Sequence, residues 1–298
     1  MSKIIVRIKG GLGNQLFCYA AARRLALVND AELIIDDVTG FIRDRQYRRI
    51  YALDKFAISA RKATSIERME PFERYRRGVA KLFAQKTPFQ NRKYIQQEGI
   101  DLDSRLLEVK PNGTVYIDGL WQSEMYFKDV ERIIKDDLRI ISPVDSVNRE
   151  IARKITSCNS VCIHVRWFDK PKTVINVTSH NLESNYYKRA IQHILDKVSA
   201  PHFFIFSDDP ISAKKLLALP ENMVTCVSHN VGDENAYADL WLMKQCHHII
   251  TANSTFSWWG AWLGESDSKI IITPGKIFSG TSTAWGFSGL IPDRWCLL

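Results

Sequence analysis

The stretch VCIHVRWFD, Val161 to Asp169, carries an apolar run straight into His164, Arg166 and Asp169. Alternate residues of a strand share a face, so His164 and Arg166 would offer an imidazole and a guanidinium to one ligand while Val165 points away. A guanidinium suits a phosphate or carboxylate. Its planar fork makes charge-assisted bonds worth roughly 1.5–3 kcal/mol each, and it keeps its charge at neutral pH. A salt bridge at a strand end is the plainer reading of the same residues. Two other stretches repeat the pattern. HFFIFSDD leaves Ser207, Asp208 and Asp209 at the end of an apolar strand, where a carboxylate can accept bonds from a ribose or nucleobase. HHIITANSTFSWWGAWL ends a strand at Ala252 and opens a helix with Asn253, Ser254 and Thr255. These are capping residue types, and with the helix amides they could also grip a diphosphate. Trp258, Trp259 and Trp262 fit helix-on-sheet packing better than ligand stacking.

Near the N-terminus, Gly10-Gly11-Leu12-Gly13 separates a short strand, Lys3 to Ile8, from a helical pattern over about Asn14 to Asn29. Glycines let a ligand approach the backbone, and the first helix amides favour an anion or an oxygen-rich group. A second strand, Ala31 to Ile35, ends at Asp36 and Asp37, about the spacing that ribose recognition needs in a dinucleotide fold. That fingerprint is incomplete, because Leu16 holds the third small position, and an NAD(P)-dependent oxidoreductase stands only as an alternative. Trp121, Gln122, Ser123 and Glu124 follow a strand over Thr114 to Asp118 and could touch a sugar through an aromatic face and an amide. Core packing with Ser123 as a helix cap explains them equally. Asp101-Leu102-Asp103 resembles a metal-holding D-x-D, but no β run precedes it.

The elements that must position these residues alternate regularly in the second half. The pattern predicts strands over 160–166, 202–206, 223–227, 248–251 and 269–272, separated by helices over 184–197, 210–218, 234–245 and 256–263. Such alternation means a parallel sheet with helices on both faces. Ligands then sit beyond the carboxyl ends of the strands, so three polar strand ends would converge on one crevice. Ile140 to Asn148 reads as a linker, giving two α/β domains, 1–145 and 146–298.

At 298 residues and 45% hydrophobic composition the chain can build two real cores, and 25% charged residues with 15 Gly and 10 Pro argue against disorder. The six cysteines, Cys18, Cys158, Cys162, Cys226, Cys246 and Cys296, form no C-x-x-C pair, so neither zinc nor a disulfide framework is indicated. No apolar run is long enough to span a bilayer, and a strand begins almost at once, so cytoplasm is the expected compartment. The net charge of +8 is concentrated: residues 61–93 hold ten Lys and Arg against three Glu. Phe72, Tyr75, Val79, Leu82 and Phe83 fall there at near-helical spacing. A solvated helix packing that apolar stripe on the domain is the expected arrangement, and peripheral contact of 61–93 with an anionic membrane, at its inner face, is the alternative. No nucleic-acid motif accompanies the charge.

Taken together, GGLGNQLF (Gly10 to Phe17), GLWQSEMYF (Gly119 to Phe127), HVRWFD, the NYYKRAI helix (Asn185 to Ile191), FFIFSDD and DLWLMKQCHHIITANSTFSWWGAWL (Asp239 to Leu263) resemble the family 11 glycosyltransferases, the bacterial-type α-1,2-fucosyltransferases. The last segment is highly specific, whereas the glycine loop alone is weak. The resemblance implies a GT-B-like architecture of two Rossmann-like domains facing a cleft, an acceptor-side front domain, a rear donor domain, GDP-L-fucose as donor and no required metal. It places Gly11, Gly13, Asn14, His164 and Arg166 at the diphosphate or fucose, Asp208 near the guanine or ribose, and Asn253, Ser254, Thr255 and Phe256 around the nucleotide. One departure stands out. Family members typically carry a second arginine and a glycine after the first arginine, where this chain has Trp167 and Phe168.

The chemistry implied is inverting transfer of fucose to a hydroxyl, with O2 of a terminal β-galactose as the family expectation. The acceptor would be a glycan or lipid-linked oligosaccharide. Arg166, with Asn14 and helix-start amides, would stabilise the leaving diphosphate. His164 and Asp169 are the candidate bases, and Trp121, Gln122 and Glu124 the candidate acceptor contacts. A non-catalytic sugar-binding protein, motivated only by Trp167, is the remaining alternative.

Overall fold

The computed structural model describes residues 1–168, 181–279 and 282–298. They divide into two units, Met1–Ser142 with Ser288–Leu290, and Pro143–Phe287 with Ile291–Leu298. Each has its own parallel sheet.

The front unit begins with β1 (Lys3–Arg7), α1 (Leu12–Val28), β2 (Glu32–Asp36), β3 (Arg61–Lys62), α2 (Glu73–Gln85), β4 (Tyr94–Gln96), β5 (Thr114–Asp118) and α3 (Glu131–Asp137). Its sheet runs β3-β2-β1-β5-β4. The central β1 pairs Ile4 with Leu33 on one side and Val115 on the other, which buries its apolar run on both faces. α1 is buried nearly all round, as its Leu, Phe and Ala content requires. Arg23 and Arg24 end on Asp137 and Asp129, each 2.7 Å away, rather than in open solvent. The acidic pair after β2 is not a ribose site. Asp36 is fully buried and accepts bonds from the Val38 and Thr39 amides, the Thr39 hydroxyl and the Tyr116 hydroxyl, leaving nothing for a dinucleotide. Asp103 caps a short 3-10 turn and pairs with Arg105, while Asp101 accepts from the Ser288 amide at 2.9 Å, so neither is set out as a metal ligand.

The rear unit contains α4 (Ser146–Thr156), β6 (Asn159–Val165), α5 (Ser184–Leu195), β7 (Pro201–Ser207), α6 (Pro210–Leu217), β8 (Val224–Val227), α7 (Ala236–Met243), β9 (His248–Ile250), α8 (Thr255–Leu263), β10 (Ile271–Thr273), the hairpin β11 (Ile277–Ser279) and β12 (Ser282–Trp285), and β13 (Cys296–Leu297). Helix α4 begins within the last three residues of the stretch read as linker; Asp145 caps it by accepting from the Asn148 amide at 2.7 Å. The six-stranded sheet runs β13-β10-β9-β6-β7-β8 and is parallel throughout. Counted within this unit, that is the 3-2-1-4-5-6 order of the doubly wound nucleotide-binding sheet, and its topological switch lies between β6 and β9. Val161, Ile163 and Val165 pack against Tyr186, Tyr187, Ala190 and Ile194 of α5 in one core cluster. Trp258, Trp259 and Trp262 of α8 are fully buried, as packing predicts.

Candidate functional site

The rear-unit switch collects the residues singled out in the sequence. Register places Ile163 beside Ile250 and Val165 beside Ser207, so β9, β6 and β7 deliver their last side chains to adjacent positions on one edge. Buried carbonyls at diverging strand ends need donors. The Tyr187 hydroxyl donates to the His164 carbonyl at 3.0 Å and the Tyr186 hydroxyl to the Thr251 carbonyl at 2.8 Å. Residue typing alone had marked this tyrosine pair only as part of a helix.

His164 is 6% exposed, and its ring lies 5.7 Å from that of Phe256 at the start of α8. Its Nδ1 is buried without a hydrogen-bond partner among the described residues. Burial, and then the Arg166 charge, push its pKa down to about 3, so the imidazole is neutral at physiological pH. Arg166 is partly exposed and its Nη1 meets an Asp208 carboxylate oxygen at 2.9 Å; the other Asp208 oxygen accepts from the Trp167 amide at 3.1 Å. Asp208 therefore holds Arg166, with its own side chain 35% exposed. Trp167 packs against the Val165 cluster, on the face opposite to His164, as alternation requires. Its ring is half-buried there. Ser254 caps α8 by accepting from the Phe256 amide at 3.3 Å, with Asn253 buried and Thr255 and Phe256 half-buried beside it. Asp169 lies outside the described residues.

The front unit shows a comparable arrangement at the ends of β1 and β5. Gly10 turns with φ +77, and a Cβ there would stand 2.8 Å from the Asn14 amide nitrogen. The buried Gln15 donates to the Gly10 carbonyl at 2.9 Å and accepts from the Ala52 amide at 2.9 Å, fastening the turn. Gln122 donates to the Asn14 side-chain oxygen at 2.8 Å, which joins two predicted site residues from opposite ends of the unit. Arg49 reaches over Gly11, its guanidinium carbon 3.7 Å from where a Cβ would lie. It sits on a loop whose sequence gave no signal. Trp121 is fully buried with its ring edge-on to Tyr126, and Glu124 is 4% exposed, so both expectations for an acceptor are corrected in favour of packing. Gln122 instead lines a depression of about 190 Å³ with Lys9, Gln96, Gln97 and Asp118. Burial would raise the Asp118 pKa, but Lys9 at 2.7 Å and Arg7 at 3.3 Å outweigh it and hold the carboxyl near 2. Among the described residues no three His, Cys, Asp or Glu side chains are grouped to hold a metal.

Known proteins resemble this chain along most of its length. An Escherichia coli alpha-1,2-colitosyltransferase is 29% identical over 281 residues, covering 92% of both chains. The O-antigen biosynthesis glycosyltransferase WbnK of Escherichia coli is 30% identical, covering 97% of this chain and 98% of its own. Among solved structures, NodZ alpha-1,6-fucosyltransferase soaked with GDP-fucose superposes with TM-score 0.52 at 16% identity, over 88% of this chain and 92% of that one. A mutant of Arabidopsis thaliana FUT1 in complex with GDP gives TM-score 0.54 at 13% identity, over 91% and 70%. The fold is thus GT-B-like, with two Rossmann-like α/β units. The family model of glycosyl transferase family 11 matches residues 3–279, and the chain belongs to that family of glycosyltransferases.

Proposed function

We propose that this glycosyltransferase moves L-fucose from GDP-β-L-fucose to a hydroxyl of a glycan acceptor, O2 of a terminal β-galactose being the expected position, with inversion at the anomeric carbon. The observation that carries the reading is Arg166 just past the end of β6 at the doubly wound switch, held by a part-exposed ion pair to Asp208 and lying over the Phe168 ring at 5.7 Å. Such exposed pairs are worth about 0–1 kcal/mol. A diphosphate offering charge-assisted bonds at roughly 1.5–3 kcal/mol each outcompetes the carboxylate. The GDP-fucose and GDP carried by the two structural neighbours support the same donor class.

In the proposed step the acceptor oxygen attacks the anomeric carbon, the bond from that carbon to the β-phosphate oxygen breaks, GDP departs and the acceptor proton passes to a base. Arg166 and the α8 amides stabilise the growing phosphate charge. His164 is too weak a base to take the proton when its pKa is near 3. Its unpartnered Nδ1 suits a hydrogen bond to the donor instead. By residue type, Asp169 remains the candidate base. Gly11, Gly13 and Asn14 are proposed as the oxygen-binding turn of the front unit, and Gln122 with its polar depression as the acceptor contact.

A specific observation favours one second reading. The colitosyltransferase relative points to a donor whose sugar is the 3-deoxy counterpart of fucose. Transfer assays with GDP-fucose and GDP-colitose against β-galactoside acceptors test both, and calorimetry with GDP and NADH tests the donor class. Turnover is expected to survive EDTA; abolition by EDTA with rescue by a divalent cation would contradict an arginine-only leaving-group site. Tight NADH binding without GDP binding would sink the reading altogether.

A further inference from the structure

Helix α2 is packed inside out. Towards the sheet it turns Arg77, Ala80 and Ala84, which join a core patch with Tyr94 and Tyr116. Towards solvent it turns its large apolar side chains: Phe72 is 74% exposed, Tyr75 75%, Leu82 63% and Phe83 70%. The expectation that this stripe packs on the domain is therefore overturned. The reason lies beneath the helix, where small residues and one buried arginine already fill the space over a tyrosine-lined sheet face. With Arg43 and Val79, Phe72, Tyr75 and Leu82 line an open depression of about 860 Å³. Monomeric proteins rarely leave such a contiguous apolar patch uncovered without a use.

The charges around it define the partner. Glu73, the one acid on the helix, is tied to Arg43 at 2.9 Å. Arg74 and Lys86 are exposed and have no carboxylate partner among the described residues, and Arg76 is exposed and bonds only the Glu70 carbonyl. Cations with no acids to answer them, flanking aromatic and leucine side chains on a helix about 20 Å long, match an anionic lipid surface. They match an apolar protein partner less well, since that would leave the cations unanswered. We propose that the exposed face of α2 docks this protein on an anionic bilayer, with Phe72, Tyr75, Leu82 and Phe83 entering the interface and Arg74, Arg76 and Lys86 facing the headgroups. This does not rest on the identity of the donor or acceptor.

Co-sedimentation of the full chain with vesicles of phosphatidylcholine and phosphatidylglycerol (7:3) and with phosphatidylcholine alone tests it. Binding is expected only to the anionic vesicles, and weaker in high salt. The double variant Arg74→Gln/Lys86→Gln should bind about 25-fold more weakly, at roughly fivefold per cation. Tyr75→Ser/Leu82→Ser should lose binding with an unchanged melting temperature, because both side chains are already in solvent. Equal binding by wild type and both variants, or no binding by the wild type, overturns the proposal. Dimerisation abolished by Tyr75→Ser/Leu82→Ser without vesicle binding overturns it in favour of a second copy on this face.

Discussion

A single arginine carries the electrostatics of the proposed reaction, and its geometry makes the substitution test sharp. Arg166→Lys keeps the charge but loses the planar fork that can give a phosphate two parallel bonds. Loss of one transition-state donor typically costs about 2.7–4 kcal/mol, so kcat should fall about 10²–10³-fold. Near-wild-type turnover in steady-state assays would remove Arg166 from the role. Asp208→Asn should be milder: the amide still accepts from the Trp167 backbone but no longer fixes the guanidinium by charge. His164 yields a prediction on stability. Its pKa is near 3 in the folded chain against an ordinary 6.5, so the unfolded chain binds the proton first as pH falls. Stability is therefore full above pH 6.5 and declines between 6.5 and 3, by on the order of 5 kcal/mol in total. His164→Gln should flatten the melting temperature over that window, and an unaltered pH slope would count against the assignment.

At the scale of elements, what orients the site is the set of bonds that close the strand ends. Removing the Tyr187 hydroxyl leaves the His164 carbonyl buried and unsatisfied, at about 1–3 kcal/mol. Tyr187→Phe should thus lower the melting temperature and weaken GDP binding together, although the ring never meets the donor; calorimetry that found GDP affinity unchanged would confine the tyrosine to stability. In the front unit, Gly10→Ala forces a side chain into a left-handed turn and against Asn14. That costs about 1 kcal/mol or more in strain and should reduce activity more than stability, because Asn14 and its bond to Gln122 must shift.

For the molecule as a whole, two sheets carry two different chemistries. The rear sheet presents a neutral imidazole, a guanidinium and helix amides, whereas the front sheet presents Gln122 over a charged pair of Asp118 and Lys9. Gln122→Ala should raise KM for the acceptor with little change in GDP affinity, and Arg166→Lys should do the reverse. If both variants moved the same constant, the proposed division of labour would be wrong. No helix among the described residues is long and apolar enough to cross a membrane.

Strand periodicity made much of this legible before folding. The apolar run Val161-Cys162-Ile163 of β6 must be buried, and alternation alone assigns His164 to one face and Trp167 to the other. Glycine spacing likewise marked the front turn, since few residues other than glycine take its positive φ. Contacts between distant segments were not legible, because local pattern carries no information on which strand lies beside which. The pairing of Asp208 with Arg166, the fastening of the glycine turn by Gln15 and the Tyr187 bond to His164 all depend on neighbours fixed by the sheet order. Helix α2 shows the limit most clearly: its amphipathic pattern foretold a helix with an apolar face, but only the space left above the sheet could set which way that face turned.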